Sequence, residues 1–235
     1  SIGLPSLVRR HSTYEENVRL YMVMAAHEAG HLEFGTFDVP LTRLRDLSEE
    51  LTQRYGRKAS PEAHTLGDLF ARYPQPGLIR DLWALVEDAR VEYLLRLEYP
   101  GLSRDLASIA KDAVQVRSLA HGMTVRELVV DQLLLLSTVE PGSLPLPDAL
   151  KNEITHLWSL CQTIFHPLAT AEQSVRLADH LYVSMDELLA IRCEAIPSPD
   201  ESDAPEQSIP APKASEDLSD TYRPMDNWDY RGAMD

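Results

Sequence analysis

The stretch Met22-Val-Met-Ala-Ala-His27-Glu28-Ala-Gly-His31-Leu-Glu-Phe34 contains the pattern His-Glu-x-x-His within an apolar run. Positions i and i+4 of a helix share one face, so His27 and His31 can bind the same metal ion. Zinc favours imidazole ligands, and a catalytic zinc takes one more protein ligand and keeps a position open for water. Glu28 would act as the general base on that water. The motif therefore predicts Zn²⁺ at His27 and His31 and requires a third ligand elsewhere.

The residues around the motif predict a helix from about residue 13 to Gly35. Two overlapping capping boxes lie within residues 12–16, and Gly35 is a natural C-terminal stop. Apolar residues from Val18 to Phe34 occur on every side of this helix, a pattern typical of a central, buried one. Three polar groups in an apolar core need partners, which favours a metal site over a chance match.

A later helix, predicted at about 78–99, offers the third ligand. Glu87 borders its apolar stripe, with Arg90 one turn further on, and is the best candidate. The alternative for Glu87 is an ion pair with Arg90 alone. Asp88 and Glu92, four positions apart, are second candidates: they could hold a histidine ring in orientation or bind the metal instead of Glu87, or they could be solvated.

The remaining histidines show no comparable pattern. His64 lies in a short polar helix and is interpreted as a surface residue. Nothing in the sequence distinguishes His11, His121, His156, His166 and His180.

The composition favours an all-α fold. The chain has 235 residues, 44% hydrophobic and 25% charged, with only 10 glycines and no clear strand alternation. We therefore expect a multi-helix bundle around the buried His-Glu-x-x-His helix. The further predicted helices span roughly 40–56, 62–73, 103–118, 124–138, 147–165 and 170–193.

Charge and cysteine usage exclude several classes of protein. A net charge of −15 disfavours binding to nucleic acid or to an anionic membrane surface. No apolar run is long enough for membrane insertion, and no signal-peptide core is present. Cys161 and Cys193 are predicted to be buried free thiols, which fits the cytoplasm. The start at Ser1 suggests a piece of a longer protein.

The composition also divides the chain into three parts. Residues 1–196 form the predicted helical domain. Residues 197–220 contain five prolines, seven acidic residues and one lysine, so a disordered acidic linker is expected. Residues 221–235 are aromatic again and could pack back onto the body before a further domain that this chain lacks.

Several motifs resemble a known family. They are Ala26-His-Glu-Ala-Gly-His-Leu-Glu-Phe-Gly35, Glu87-Asp-Ala-Arg-Val-Glu92, Tyr99-Pro-Gly-Leu102 and Asn227-Trp-Asp-Tyr230. Together, within about residues 15–102 and 222–230, they resemble the NorD/CbbO-type proteins. The Glu-x-x-Arg-Val-Glu helix is also similar to one in a cobaltochelatase subunit.

The resemblance implies a helical region followed by a von Willebrand factor A domain, which is absent here because no Asp-x-Ser-x-Ser motif occurs. It implies a MoxR-class AAA+ ATPase ring as partner and a client enzyme such as nitric oxide reductase or rubisco. Two helical histidines with a later glutamate are similar to gluzincin metallopeptidases, which makes Glu87 the matching ligand. The first hypothesis is a zinc-binding, metallopeptidase-like domain of an activator. The alternative is a non-catalytic adaptor between ATPase and client, with structural metal or none.

Overall fold

The computed structural model describes residues 4–56, 63–116, 123–138, 146–195, 222–225 and 230–231. This part of the chain is helical and contains no β-strand, which confirms the all-α prediction. Its α-helices are α1 (Tyr14–Glu33), α2 (Arg45–Tyr55), α3 (Leu66–Phe70), α4 (Pro76–Glu98), α5 (Pro100–Val116), α6 (Val125–Leu136), α7 (Lys151–Cys161) and α8 (Ala171–Ala195). No helix among the described residues is long and apolar enough to cross a membrane.

Local chemistry sets the ends of these helices. Thr13 caps α1, because its hydroxyl oxygen accepts the Glu16 backbone N–H at 3.2 Å. Gly35 and Gly56 follow α1 and α2 with positive φ angles of 70° and 61°, which glycine adopts without strain. Helix α4 ends before Pro100, close to the predicted end at about residue 99, and Pro100 begins α5, since a first-turn proline needs no backbone N–H.

The central helix of the bundle is α4 rather than α1. Helix α4 buries residues around most of its circumference and packs against α1, α5, α6 and α8. Helix α1 buries only one face, which includes Leu20 and Val23, and exposes the side chains of Tyr14 and Met22. The predicted position of α1 at the axis is therefore corrected. Apolar residues on every side do not ensure burial, because much of a folded surface is apolar.

Gly30 brings α1 close to α4. A Cβ atom at this position would lie 2.8 Å from Val91 Cγ1 and 3.2 Å from Leu95 Cδ1. The absence of a side chain lets the two helices approach, so the face of α1 that carries His27 and His31 lies against α4.

Residues 222–225 and 230–231 contact this bundle. Tyr222 and Tyr230 are buried, and the Tyr222 hydroxyl donates to Asp81 Oδ2 at 2.6 Å. Cys161 is a buried free thiol, as expected, whereas the side chain of Cys193 is outside the described part. The predicted linker at 197–220, His121 and Asn227-Trp-Asp229 also lie outside the described residues.

Candidate metal centre

Three buried side chains from α1 and α4 converge on one point. His27 Nε2 and His31 Nε2 are 3.0 Å apart. Asp88 Oδ1 lies 3.5 Å from His27 Nε2 and 3.3 Å from His31 Nε2. In the described part of the chain, this is the group of histidine, cysteine and carboxylate side chains that could hold a metal ion.

The spacing of these three atoms fits a small tetrahedral metal. Zinc bonds of roughly 2.0–2.2 Å in tetrahedral geometry separate the ligand atoms by about 3.3–3.5 Å. The observed separations of 3.0–3.5 Å are close to that range. Two imidazoles and one carboxylate also form a donor set that suits zinc and other divalent transition metals.

The residues behind His31 determine which of its nitrogens carries hydrogen. The Thr36 hydroxyl donates to Glu87 Oε1 at 2.5 Å, so its single hydrogen is committed to that carboxylate. Thr36 Oγ1 lies 3.0 Å from His31 Nδ1 and must therefore accept the hydrogen of that nitrogen. Nε2 of the neutral ring then presents a lone pair to the group, as a metal ligand requires.

Glu87 does not join the group, which differs from the predicted ligand set. Both Glu87 oxygens accept from the Arg90 guanidinium, with Arg90 Nε 2.9 Å from Glu87 Oε2. Arg90 also donates to the backbone carbonyls of Phe34 and Ala169. Neighbouring residues on a helix point about 100° apart, so Asp88 faces both histidines while Glu87 faces Thr36. The alternative ion pair of Glu87 with Arg90 is present.

The environment keeps Asp88 ionised. Burial alone would raise the pKa of Asp88, but its contacts with the His27 and His31 rings and the charge of Arg231 outweigh that effect. The pKa of this carboxyl group therefore lies below its ordinary value. An ionised carboxylate is the form that binds a metal.

Glu92, one turn after Asp88, binds the end of the chain. Its oxygens accept from Arg96 NH2 at 2.9 Å, Tyr230 OH at 3.0 Å and Arg231 Nε at 2.7 Å. Burial would raise the pKa of Glu92, but the charges of Arg231 and Arg96 hold it below its ordinary value. Glu92 is therefore a buried anchor for arginine, which is none of the three roles considered from the sequence.

Glu28, the predicted general base, is not a member of this group. Its side chain is half-buried, whereas those of His27, His31 and Asp88 are 0%, 2% and 1% exposed. The centre is thus closed to solvent in this conformation.

Sequence reasoning identified the two histidines but missed other parts of the centre. Asp88 was one of the second candidates. The signal for it in the sequence was its position one turn before Glu92 on a buried helix. Thr36 gave no signal beyond its position after Gly35. Tyr230 and Arg231 repeat the Tyr-Arg pair at 222–223. His64 is exposed, as interpreted from the sequence.

Comparisons with known proteins found no match. No known protein family, no curated protein and no solved structure matches this chain.

Proposed function

We propose that this chain binds a divalent transition metal, Zn²⁺ in the first place, through His27, His31 and Asp88. The main support for this proposal is that Asp88 Oδ1 lies within 3.5 Å of both histidine Nε2 atoms. The Nδ1–H form of His31 and the ionised state of Asp88 support it. Zinc in such a site polarises a bound water, for which Glu28 would be the base.

The proposed context is a metallopeptidase-like domain of a cytoplasmic activator. In this proposal it works with a MoxR-class AAA+ ATPase ring on a client enzyme of the nitric oxide reductase or rubisco type. The support is the resemblance of the His-Glu-x-x-His and Glu-x-x-Arg-Val-Glu helices. The set of two histidines and one carboxylate remains that of a metallopeptidase when Asp88 takes the place of Glu87.

A second candidate function is a non-catalytic adaptor whose metal is structural. The closed surroundings of His27, His31 and Asp88 favour it, because a catalytic zinc needs an accessible position for water and substrate. Both functions use the same metal ligands, but only the hydrolytic function requires Glu28 as a general base.

Metal content tests the site. Purified wild-type chain should hold about one zinc per molecule, and His27→Ala and Asp88→Asn should lose it. Glu87→Gln keeps the side-chain shape and should retain zinc, since Glu87 faces Thr36 and not the metal, but it should bind zinc more weakly because Glu87 orients Thr36 and His31. Thermal unfolding checks that each variant folds. Zinc lost from Glu87→Gln but retained by Asp88→Asn would overturn the assignment of Asp88.

A second experiment separates hydrolysis from scaffolding. Glu28→Gln should leave the zinc content unchanged, because Glu28 lies outside the ligand group. If the domain acts by hydrolysis, this variant should lose peptide cleavage and client activation. Activation at the wild-type level would establish the adaptor function instead.

A further inference from the structure

Two Tyr-Arg pairs at the end of the chain contact carboxylates of the bundle. We define the C-terminal segment as residues 222–225 and 230–231. Its first pair binds Asp81 and Glu127: the Tyr222 hydroxyl donates to Asp81, and Arg223 NH2 donates to Glu127 Oε2 at 2.9 Å.

The second pair lies beside the proposed metal centre. The Tyr230 ring is edge-on to the His27 ring, with 6.4 Å between centroids. Tyr230 and Arg231 both donate to Glu92 Oε1, one turn from Asp88 on α4. Both side chains are almost fully buried, although they lie more than a hundred residues from α1 and α4 in sequence.

We infer that Tyr230 and Arg231 form a releasable cover over the metal centre. This inference rests on the proposed metal site and concerns its regulation. With the cover in place, His27, His31 and Asp88 are sealed from solvent. Removal of the pair exposes the His27 side of the centre to water, chelators and substrate.

The carboxylates that bind the segment would keep partners after its release. Glu92 retains Arg96, whose side chain is 34% exposed and lies 2.9 Å away. The Glu127 carboxylate retains the Thr124 backbone N–H as a donor in the capping box of α6. Asp81 is only partly buried, so water can replace Tyr222. Release therefore leaves no carboxylate of this set as an isolated buried charge, a state that would be costly.

One hydrogen-bond donor of the cover lacks a partner among the described residues. Arg231 Nε and NH1 donate to Glu92 and Ser137, but the buried NH2 atom has no hydrogen-bond partner among the described residues. A buried donor without a partner opposes docking, because water would satisfy it in the released state. This donor therefore lowers the net stability of the docked state.

The test compares wild type, the double variant Tyr230→Ala/Arg231→Ala and the milder Arg231→Lys, with Arg43→Ala as an exposed control. The metal-free proteins are treated with diethyl pyrocarbonate, and modification of each histidine is followed by mass spectrometry. His27 should react at least tenfold faster in the double variant, at an intermediate rate in Arg231→Lys, and slowly in wild type and Arg43→Ala. The exposed His64 and His180 serve as internal standards.

The zinc-loaded proteins give a second readout. Transfer of zinc to a coloured chelator, started from proteins saturated with zinc, should be at least tenfold faster in the double variant. Wild-type rates in both assays would overturn the cover, as would loss of zinc binding in the folded double variant. If the double variant unfolds, the Arg231→Lys rates decide. If the purified wild-type chain binds no zinc, the proposed metal site is wrong. The rates of histidine modification in the metal-free proteins still test whether Tyr230 and Arg231 cover His27.

Discussion

His31 Nδ1 lies 3.0 Å from the Thr36 hydroxyl oxygen, which in turn donates to Glu87. This relationship fixes the ring so that Nε2 faces His27 and Asp88. Glu87 therefore acts on the centre through Thr36 and His31.

Replacing Thr36 by valine should weaken zinc binding. The variant keeps the side-chain shape but removes the acceptor of the His31 N–H, and loss of such a partner typically costs roughly 10–100-fold in metal affinity. Thr36→Ser retains the hydroxyl and should bind zinc nearly as wild type does. Competition with a chelator of known affinity measures both, and equal affinity of Thr36→Val and wild type would contradict the role of Thr36.

Gly30→Ala should force α1 and α4 apart. The new Cβ atom would lie 2.8 Å from Val91 Cγ1, and overpacking of a core costs about 1–3 kcal/mol in the free energy of unfolding. Zinc affinity should fall as well, because the histidines and Asp88 lie on opposite sides of this contact. Gly101→Ala is the control: nothing lies within 4 Å of its Cβ position, so urea unfolding should show little or no loss.

Arg90→Ala should be strongly destabilising. The change leaves the buried Glu87 carboxylate without its cation and removes donors to two backbone carbonyls. Breaking a buried ion pair costs roughly 3–5 kcal/mol in the free energy of unfolding. Arg43→Ala removes an exposed ion pair with Glu172 and should cost about 1 kcal/mol or less. Similar losses in the two variants would show that the Glu87–Arg90 pair does not support the fold.

Acid should weaken the docking of the C-terminal segment through Glu127. Hydrogen bonds from Arg223 lower the pKa of Glu127 to about 2 from an ordinary 4.5, although burial opposes the shift. A carboxylate with a lowered folded-state pKa adds stability that is present above the unfolded pKa and lost as the pH falls. The contribution of Glu127 is therefore full above about pH 4.5 and disappears towards pH 2.

Urea unfolding of wild type and Glu127→Gln across this pH range measures that contribution. The difference in unfolding free energy should be largest near pH 5–6 and shrink at each step towards pH 2. A difference that is constant with pH would show that Glu127 does not carry this dependence.

Features that depend on neighbours in sequence could be predicted. The cap within residues 12–16, the glycine stop at Gly35, and the shared face of His27 and His31 all follow from contacts within a few residues. The sequence did not predict which residues face each other where two helices meet. Glu87 and Asp88 differ by one position, and only the rotational setting of α4 against α1 decides which faces the histidines.

The sequence by itself therefore determined a helical protein with His27 and His31 on one face of a helix. The tertiary structure decided that α4 is the central helix, that Asp88 completes the group, and that Tyr230 and Arg231 cover it. Helix formation and capping are local interactions. The choice of carboxylate and the docking of the chain end depend on packing between residues far apart in sequence, which Gly30 permits and Glu92 anchors.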